Sequence, residues 1–239
     1  MGEENDKWLY RYTSLPSALD IIRHNRLTLL SPSTWSDGND TGYLDAYRRA
    51  KGLSTLVALC FTRAFETSQH WHLFAPGDSG VRLRFERTSL EAAIANLPGA
   101  QISDVKYRKI DMSKINAESI EDWPFLKRYP YEGESETRII YESVRANKQT
   151  FSIPIEPESL TAVALSPALP KALRSVLETT IRDASNDFEL RITRSTMKEN
   201  ARWLNPVLER ASELQIQRGF QIAKDRAAKV RRKREHPKN

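Results

Sequence analysis

The sequence predicts an α+β fold: a mixed or antiparallel sheet of short strands with interspersed helices and a C-terminal basic helix. Three observations predict it. Short segments alternate or run apolar in the manner of strands, and helix-start signals fall between them without a regular strand–helix repeat. The C-terminal stretch carries apolar residues at helical spacing and then becomes almost wholly polar.

Taken in order, residues 8–13 alternate apolar and polar side chains and suit an aromatic-rich strand. Ser14 then reads as a helix N-cap, with Pro16 in the first turn ahead of Leu19, Ile21 and Ile22. Residues 27–30 read as a strand closed by Ser31 and Pro32. Residues 35–42 are dense in turn formers and predict a loop. Strands follow at 53–62 and 80–85, and between them lies the run from Gln69 to Phe74, with His70, Trp71 and His72. Thr88 to Glu91 fits a capping box opening a helix that ends before Pro98 and Gly99. Further strands are expected at 102–107, 137–142, 150–155, 160–165 and 188–193, with a helix at 168–184. Leu204, Val207, Leu208, Ala211 and Leu214 form a stripe expected to dock on the body.

The 239 residues suffice for one sizeable core, so one α+β domain is expected at 8–195 and a C-terminal helix with a basic tail at 196–239. The single cysteine, Cys60, excludes an intramolecular disulfide. No apolar leader follows the polar start and no run is long enough to cross a bilayer, so a cytoplasmic location and no membrane partner are expected. Net charge is +6, of which residues 218–239 carry nine Lys/Arg against two acidic residues, or +7, leaving the body near −1. The sequence therefore points to nucleic acid as a partner of the tail, with Arg231, Arg232, Lys233 and Arg234 on phosphates; a merely solvated helix end fits the same charges.

No phosphate-binding Gly-rich loop, nucleophile elbow or paired cysteines occur. Cys60 lies in an apolar strand and reads as an inert small hydrophobe. His70 and His72 would share a face on a strand and could ligate a metal if a carboxylate joined them, but on a helix they point about 200° apart. Glu132, Glu134 and Glu136 alternate at period two, so an early strand start would crowd them on one face and raise their pKa values. Such crowding suits a site where a cation or an oxocarbenium-like transition state compensates it. An exposed acidic turn, with Arg138 paired to a neighbour, fits the same spacing.

The ordered set Tyr10-Arg11-Tyr12, Ser31-Pro32, Asn39-Asp40, Cys60-Phe61-Thr62, Trp71 near Gly80, and Glu134-x-Glu136-x-Arg138 resembles the bacterial domain of unknown function 2971, over roughly residues 8 to 170. Thr41 stands where that family has a proline, and Tyr131 where it has a tryptophan. The same residues are similar, less fully, to the ADP-ribosyltransferases. That resemblance implies NAD as substrate, Arg11 on its phosphates or ribose, Thr62 supporting the pocket, Glu136 on the ribose hydroxyl and Glu134 orienting or deprotonating the acceptor. It places Tyr12 or Trp71 on the nicotinamide, with Asn39, Asp40, His72 and Arg138 as further substrate-binding candidates, and implies that Glu136→Gln removes turnover with little loss of stability. The company such bacterial domains keep suggests phage defence or toxin action. Two alternatives stay open: a non-catalytic nucleic-acid-binding protein using the tail, and a metal-dependent nuclease using Glu134, Glu136 and His70 or His72.

Overall fold

The computed structural model describes residues 6–110, 118–145, 147–186 and 188–235, with side chains of the last helix described through Arg226. Two compact units result, Met1–Met197 and Lys198–Asn239.

The first unit is built on one sheet. Strand β1 (Trp8–Ser14) runs into helix α1 (Leu15–His24), whose first turn is capped by the Ser14 hydroxyl accepting from Ser17 N and which ends at Asn25 in the left-handed region. Strand β2 (Arg26–Leu30), helix α2 (Gly38–Ala50) and strand β3 (Thr55–Thr62) follow, then helix α3 (Ser68–Phe74), strand β4 (Gly80–Glu86) and helix α4 (Arg87–Ala95). Strands β5 (Ala100–Asp104), β6 (Lys106–Arg108), β7 (Leu126–Arg128), β8 (Glu136–Ser143), β9 (Thr150–Pro154) and β10 (Leu160–Leu165) come next. Helix α5 (Arg174–Ala184) leads to strand β11 (Arg191–Arg194).

The strand order is β11-β10-β4-β1-β3-β2-β9, with β8 paired along β3 and β5 along β8. Every pairing in this sheet is antiparallel except β10 with β11. The fold is α+β. On one face Leu9, Leu27, Leu29, Val57, Leu59, Leu83, Phe85 and Ile139 pack against Ile21 and Ile22 of α1, Leu90 and Ile94 of α4 and Ile181 of α5. Each such side chain contributes about 1.5–3 kcal/mol by leaving water, so this face is the main source of stability. Among the described residues of this unit the opposite face carries two buried apolar patches: α2 with Leu44 and Tyr47 over Leu56, Ala58 and Ile140, and α3 and its C-cap with Trp71 and Ala75 over Tyr12.

The sheet is split where those patches part. Strand β3 pairs with β8 over its whole length, but with β1 only at Tyr10↔Thr62 and with β2 only at Leu30↔Ala58. Between those two contacts one edge of β3 lacks a strand neighbour.

Four local expectations need correction. The turn-rich run at 35–42 is the start of α2: the Asp37 carboxylate accepts from Asn39 N and Asp40 N, so the turn formers are cap and first turn. Thr88 lies inside α4 rather than capping it, and Ser89 donates to Glu86 instead. The strand at 102–107 is interrupted at Val105, whose N–H donates to the Glu136 carbonyl. The helix expected from 168 begins at 174 after a single turn at Lys171–Leu173, because Pro167 and Pro170 restrict the residues before them.

The second unit contains helix α6 (Ala201–Glu235). Within this unit Leu204, Val207, Leu208 and Leu214 are all half or more exposed. Arg231, Arg232, Lys233 and Arg234 fall within this helix, and their side chains lie outside the described residues. No helix among the described residues is long and apolar enough to cross a membrane.

Candidate active site

A cleft of about 570 Å³ opens at the split in the sheet, between α2 and α3. Its walls are Tyr10, Arg11 and Tyr12 of β1, residues 58–62 of β3, Trp35 and Asp37 ahead of α2, and Phe74 of α3. Lys127 of β7, Tyr131, Glu134 and Glu136 close the far side. Arg11 sits in the gap between strands and donates from Nη1 to the Cys60 carbonyl at 2.8 Å, satisfying an oxygen on the unpaired edge of β3. Its Nε is buried without a hydrogen-bond partner, and burial lowers its pKa from the ordinary arginine value.

Beneath the cleft lies a charge network joining distant parts of the chain. Arg138 is fully buried and grips Asp40 with two hydrogen bonds, Nη1 to Oδ1 at 3.0 Å and Nη2 to Oδ2 at 2.7 Å. It also donates from Nε to Glu136 Oε1 at 2.7 Å and from Nη1 to the Pro124 carbonyl at 2.8 Å. Lys127 Nζ reaches Glu134 Oε2 at 2.6 Å, Glu136 Oε2 at 3.2 Å and Asp40 Oδ2 at 3.6 Å. Three carboxylates thus face two cations, leaving one net negative charge.

The environments push the two glutamates apart. Burial acts to raise the pKa of Glu136, but Arg138 and Lys127 outweigh it and bring that carboxyl down to about 2. Burial dominates at Glu134 and raises its pKa although Lys127 opposes it. One is a fixed anion at neutral pH. The other is shifted toward the range where a carboxylate exchanges protons. Burial, with Glu136 nearby, holds the Cys60 thiol well above its usual value, as an inert thiol requires.

Local structure explains how the pair is presented. Residues Tyr129–Glu134 form a 3-10 turn and Ser135 takes φ 44, so β8 begins only at Glu136 and the period-two face expected for Glu132, Glu134 and Glu136 does not form. Glu134 returns toward Glu136 because the Thr62 hydroxyl donates to the Glu134 carbonyl at 2.5 Å, and Tyr107 Oη accepts from Glu136 N at 2.7 Å. Thr62 therefore positions the turn that carries Glu134.

Of the residues singled out by sequence, Arg11, Tyr12, Asp40, Thr62, Glu134 and Glu136 line the cleft. Arg138 lies behind it with its donors engaged. Trp71 is buried edge-on against Tyr12 with its indole N–H on Glu66, which makes it packing for the cleft wall. Asn39 and His72 are exposed and are not among the lining residues. His70 is buried against Tyr12 while His72 points to solvent, as helical α3 demands. Among the described residues no group of three or more His, Cys, Asp and Glu is placed to hold a metal ion. Lys127, Tyr107, Trp35 and Tyr131 were not assigned from sequence. No local pattern marks Lys127, since its role arises from carboxylates on α2, on the turn before β8 and on β8 itself.

No protein-family model matches the chain, and no curated protein matches it. The chain is similar to solved structures of Thermus sp. 2.9 DarT. With the complex with carba-NAD+ it shares 9% identity and a TM-score of 0.42, covering 80% of this chain and 96% of that one. For the complex with NAD+ the values are 10% and 0.42, with the same coverage. For the complex with ADP-ribosylated ssDNA they are 9% and 0.43, covering 80% and 94%.

Proposed function

We propose that the cleft binds an NAD-type dinucleotide as substrate, cleaves its nicotinamide–ribose bond and passes ADP-ribose to an acceptor. The observation that carries this reading is Glu136: an ionised carboxylate fixed by Lys127 and Arg138 inside an aromatic-walled cleft that also holds Arg11. Breaking the C1′–N bond sends its electron pair to nicotinamide and builds positive charge on the ribose, which a preorganised anion stabilises more in the transition state than in the ground state. The Glu136 carboxylate holds Arg138 on one oxygen and Lys127 on the other and also takes the Cys60 thiol, which leaves a lone pair for a ribose hydroxyl. Arg11 lies where its remaining donors can meet phosphate oxygens, and half-buried Tyr10 supplies an aromatic wall for a flat ring, while Tyr12 is packed against His70 and Trp71 behind it. Glu134, with its raised pKa, takes the proton that the acceptor's heteroatom loses as it bonds to C1′. The cleft volume lies within the range of small-molecule sites.

Incubating the protein with NAD and measuring released nicotinamide tests the reading. Release by wild type, lost in Glu136→Gln and Glu134→Gln while calorimetry still detects NAD binding, is the expected result. A wild-type protein that neither binds NAD nor releases nicotinamide overturns it.

A further inference from the structure

A second hollow, of about 180 Å³, lies on the same sheet and is lined by Tyr10, Arg82, Arg84, Ala162, Ala164, Arg191 and Thr193. Its place follows from register. Residues directly opposite one another on paired strands point to the same face, and the pairs Glu136↔Thr62, Thr62↔Tyr10, Tyr10↔Arg84, Arg84↔Ala162 and Ala162↔Arg191 form one continuous row across five strand boundaries. Glu136 and the arginines therefore share a face. At roughly 4.8 Å per strand, Arg84 is about 14 Å and Arg191 about 24 Å from Glu136 along that row. The next row repeats the pattern with Tyr12, Arg82, Ala164 and Thr193.

Among the described residues, two of the three arginine charges there are uncompensated. Arg82 has Glu66 at 3.6 Å, but Arg84 donates only to Thr161 at 2.8 Å, and among the described residues Arg84 and Arg191 have no carboxylate partner. The guanidiniums of Arg82 and Arg84 lie over the rings of Tyr10 at 4.9 Å and Trp8 at 4.4 Å, and the alanines between keep the floor low. Arginines laid flat on an aromatic-backed sheet suit phosphates alternating with unstacked bases, which a single strand presents and a duplex hides. Tyr10 lines both hollows, so a strand lying along this row reaches the cleft without leaving the sheet.

We infer that Arg82, Arg84 and Arg191 form a phosphate track for single-stranded nucleic acid that leads past Tyr10 to Glu134. The track as a binding site stands alone; its role in presenting an acceptor rests on the transfer reaction proposed above. The test is fluorescence anisotropy of a labelled single-stranded DNA oligonucleotide with the full chain across a salt series, beside a duplex of equal length. Arg84→Gln combined with Arg191→Gln should weaken single-strand binding about tenfold and reduce the magnitude of the log–log salt slope by roughly 1.4, for two lost phosphate contacts. Arg191→Glu alone, at an exposed position, should weaken binding in the same sense without affecting folding. Nicotinamide release without oligonucleotide should stay at the wild-type level in these variants, since neither arginine lines the cleft. Unchanged affinity and slope, tighter binding of the duplex, or loss only when Arg231, Arg232, Lys233 and Arg234 are changed to Gln would overturn the track. Absence of nicotinamide release from wild type counts against the transfer reaction and leaves the binding result to decide the track.

Discussion

Asp40 and Arg138 are 98 residues apart and meet as a buried two-point pair, with Glu136 completing the charge balance. Removing one partner of such a pair leaves an uncompensated buried charge, so Asp40→Ala should destabilise the protein by about 3–5 kcal/mol. Urea denaturation measures it, and a loss under 1 kcal/mol contradicts the assignment. The same logic revises the expectation for Glu136→Gln. The amide oxygen can still accept from Arg138, but the negative charge that balances Arg138 and Lys127 is lost. A cost on the order of 2–3 kcal/mol is therefore expected, and the variant's activity must be read below its melting transition. The resemblance carried by Glu134-x-Glu136-x-Arg138 placed Glu136 and Arg138 in a candidate site. Sequence could not place Lys127, because one lysine beside one apolar residue has no signature until three carboxylates surround it.

Helix α2 carries Asp40 into the site, and its start depends on Asp37. Asp37→Ala removes a side chain that accepts two backbone N–H groups, so it should cost about 1 kcal/mol and loosen Asp40 against Arg138. A melting-temperature shift with weaker ligand binding is the outcome to look for; an unchanged melting temperature would contradict the cap. Behind the other wall, Gly80 opens β4, and a Cβ there would lie 2.2 Å from the Ala75 carbonyl oxygen, which is backbone. Gly80→Ala must therefore push α3 away from β1, at a cost of about 1–3 kcal/mol, measurable by thermal melting. The turn-rich stretch at 35–42 was legible as irregular but not as a helix start, since cap residues and loop residues are the same types. Leu44 and Tyr47, buried beneath α2, decide the matter by packing.

At the scale of the molecule the charge network sets an acid limit. Glu136 has a folded pKa near 2 against an ordinary value of 4.5, so its contribution is complete above about pH 4.5 and is lost as pH falls toward 2. A shift of that size corresponds to at most ~3 kcal/mol. Glu134 works in the opposite sense: its pKa is raised on folding, so protonation of the native state favours folding as pH falls through its titration. Stability measured by urea from pH 7 down to pH 3 should decline below about pH 4.5 in wild type, and decline less steeply in Glu136→Gln. Equal slopes would mean that Glu136 is not held as an anion.

The sequence by itself determined the fold class, because the period-two patterns at β1 and β4, the apolar run at β10 and the Ser14 cap with Pro16 are local signals read over a few residues. It also brought Arg11, Thr62 and Glu136 forward by residue type and order. Only the tertiary structure decided that β3 leaves part of one edge unpaired, that Arg11 fills that gap, and that Lys127 and Arg138 fix Glu136 as an anion. These depend on sheet order and on contacts across 49 residues from Arg11 to Cys60 and 9 from Lys127 to Glu136, with Arg138 itself held by Asp40 from 98 residues away. Pairing between distant strands is set by which faces bury together, and no window of sequence contains both sides of that choice.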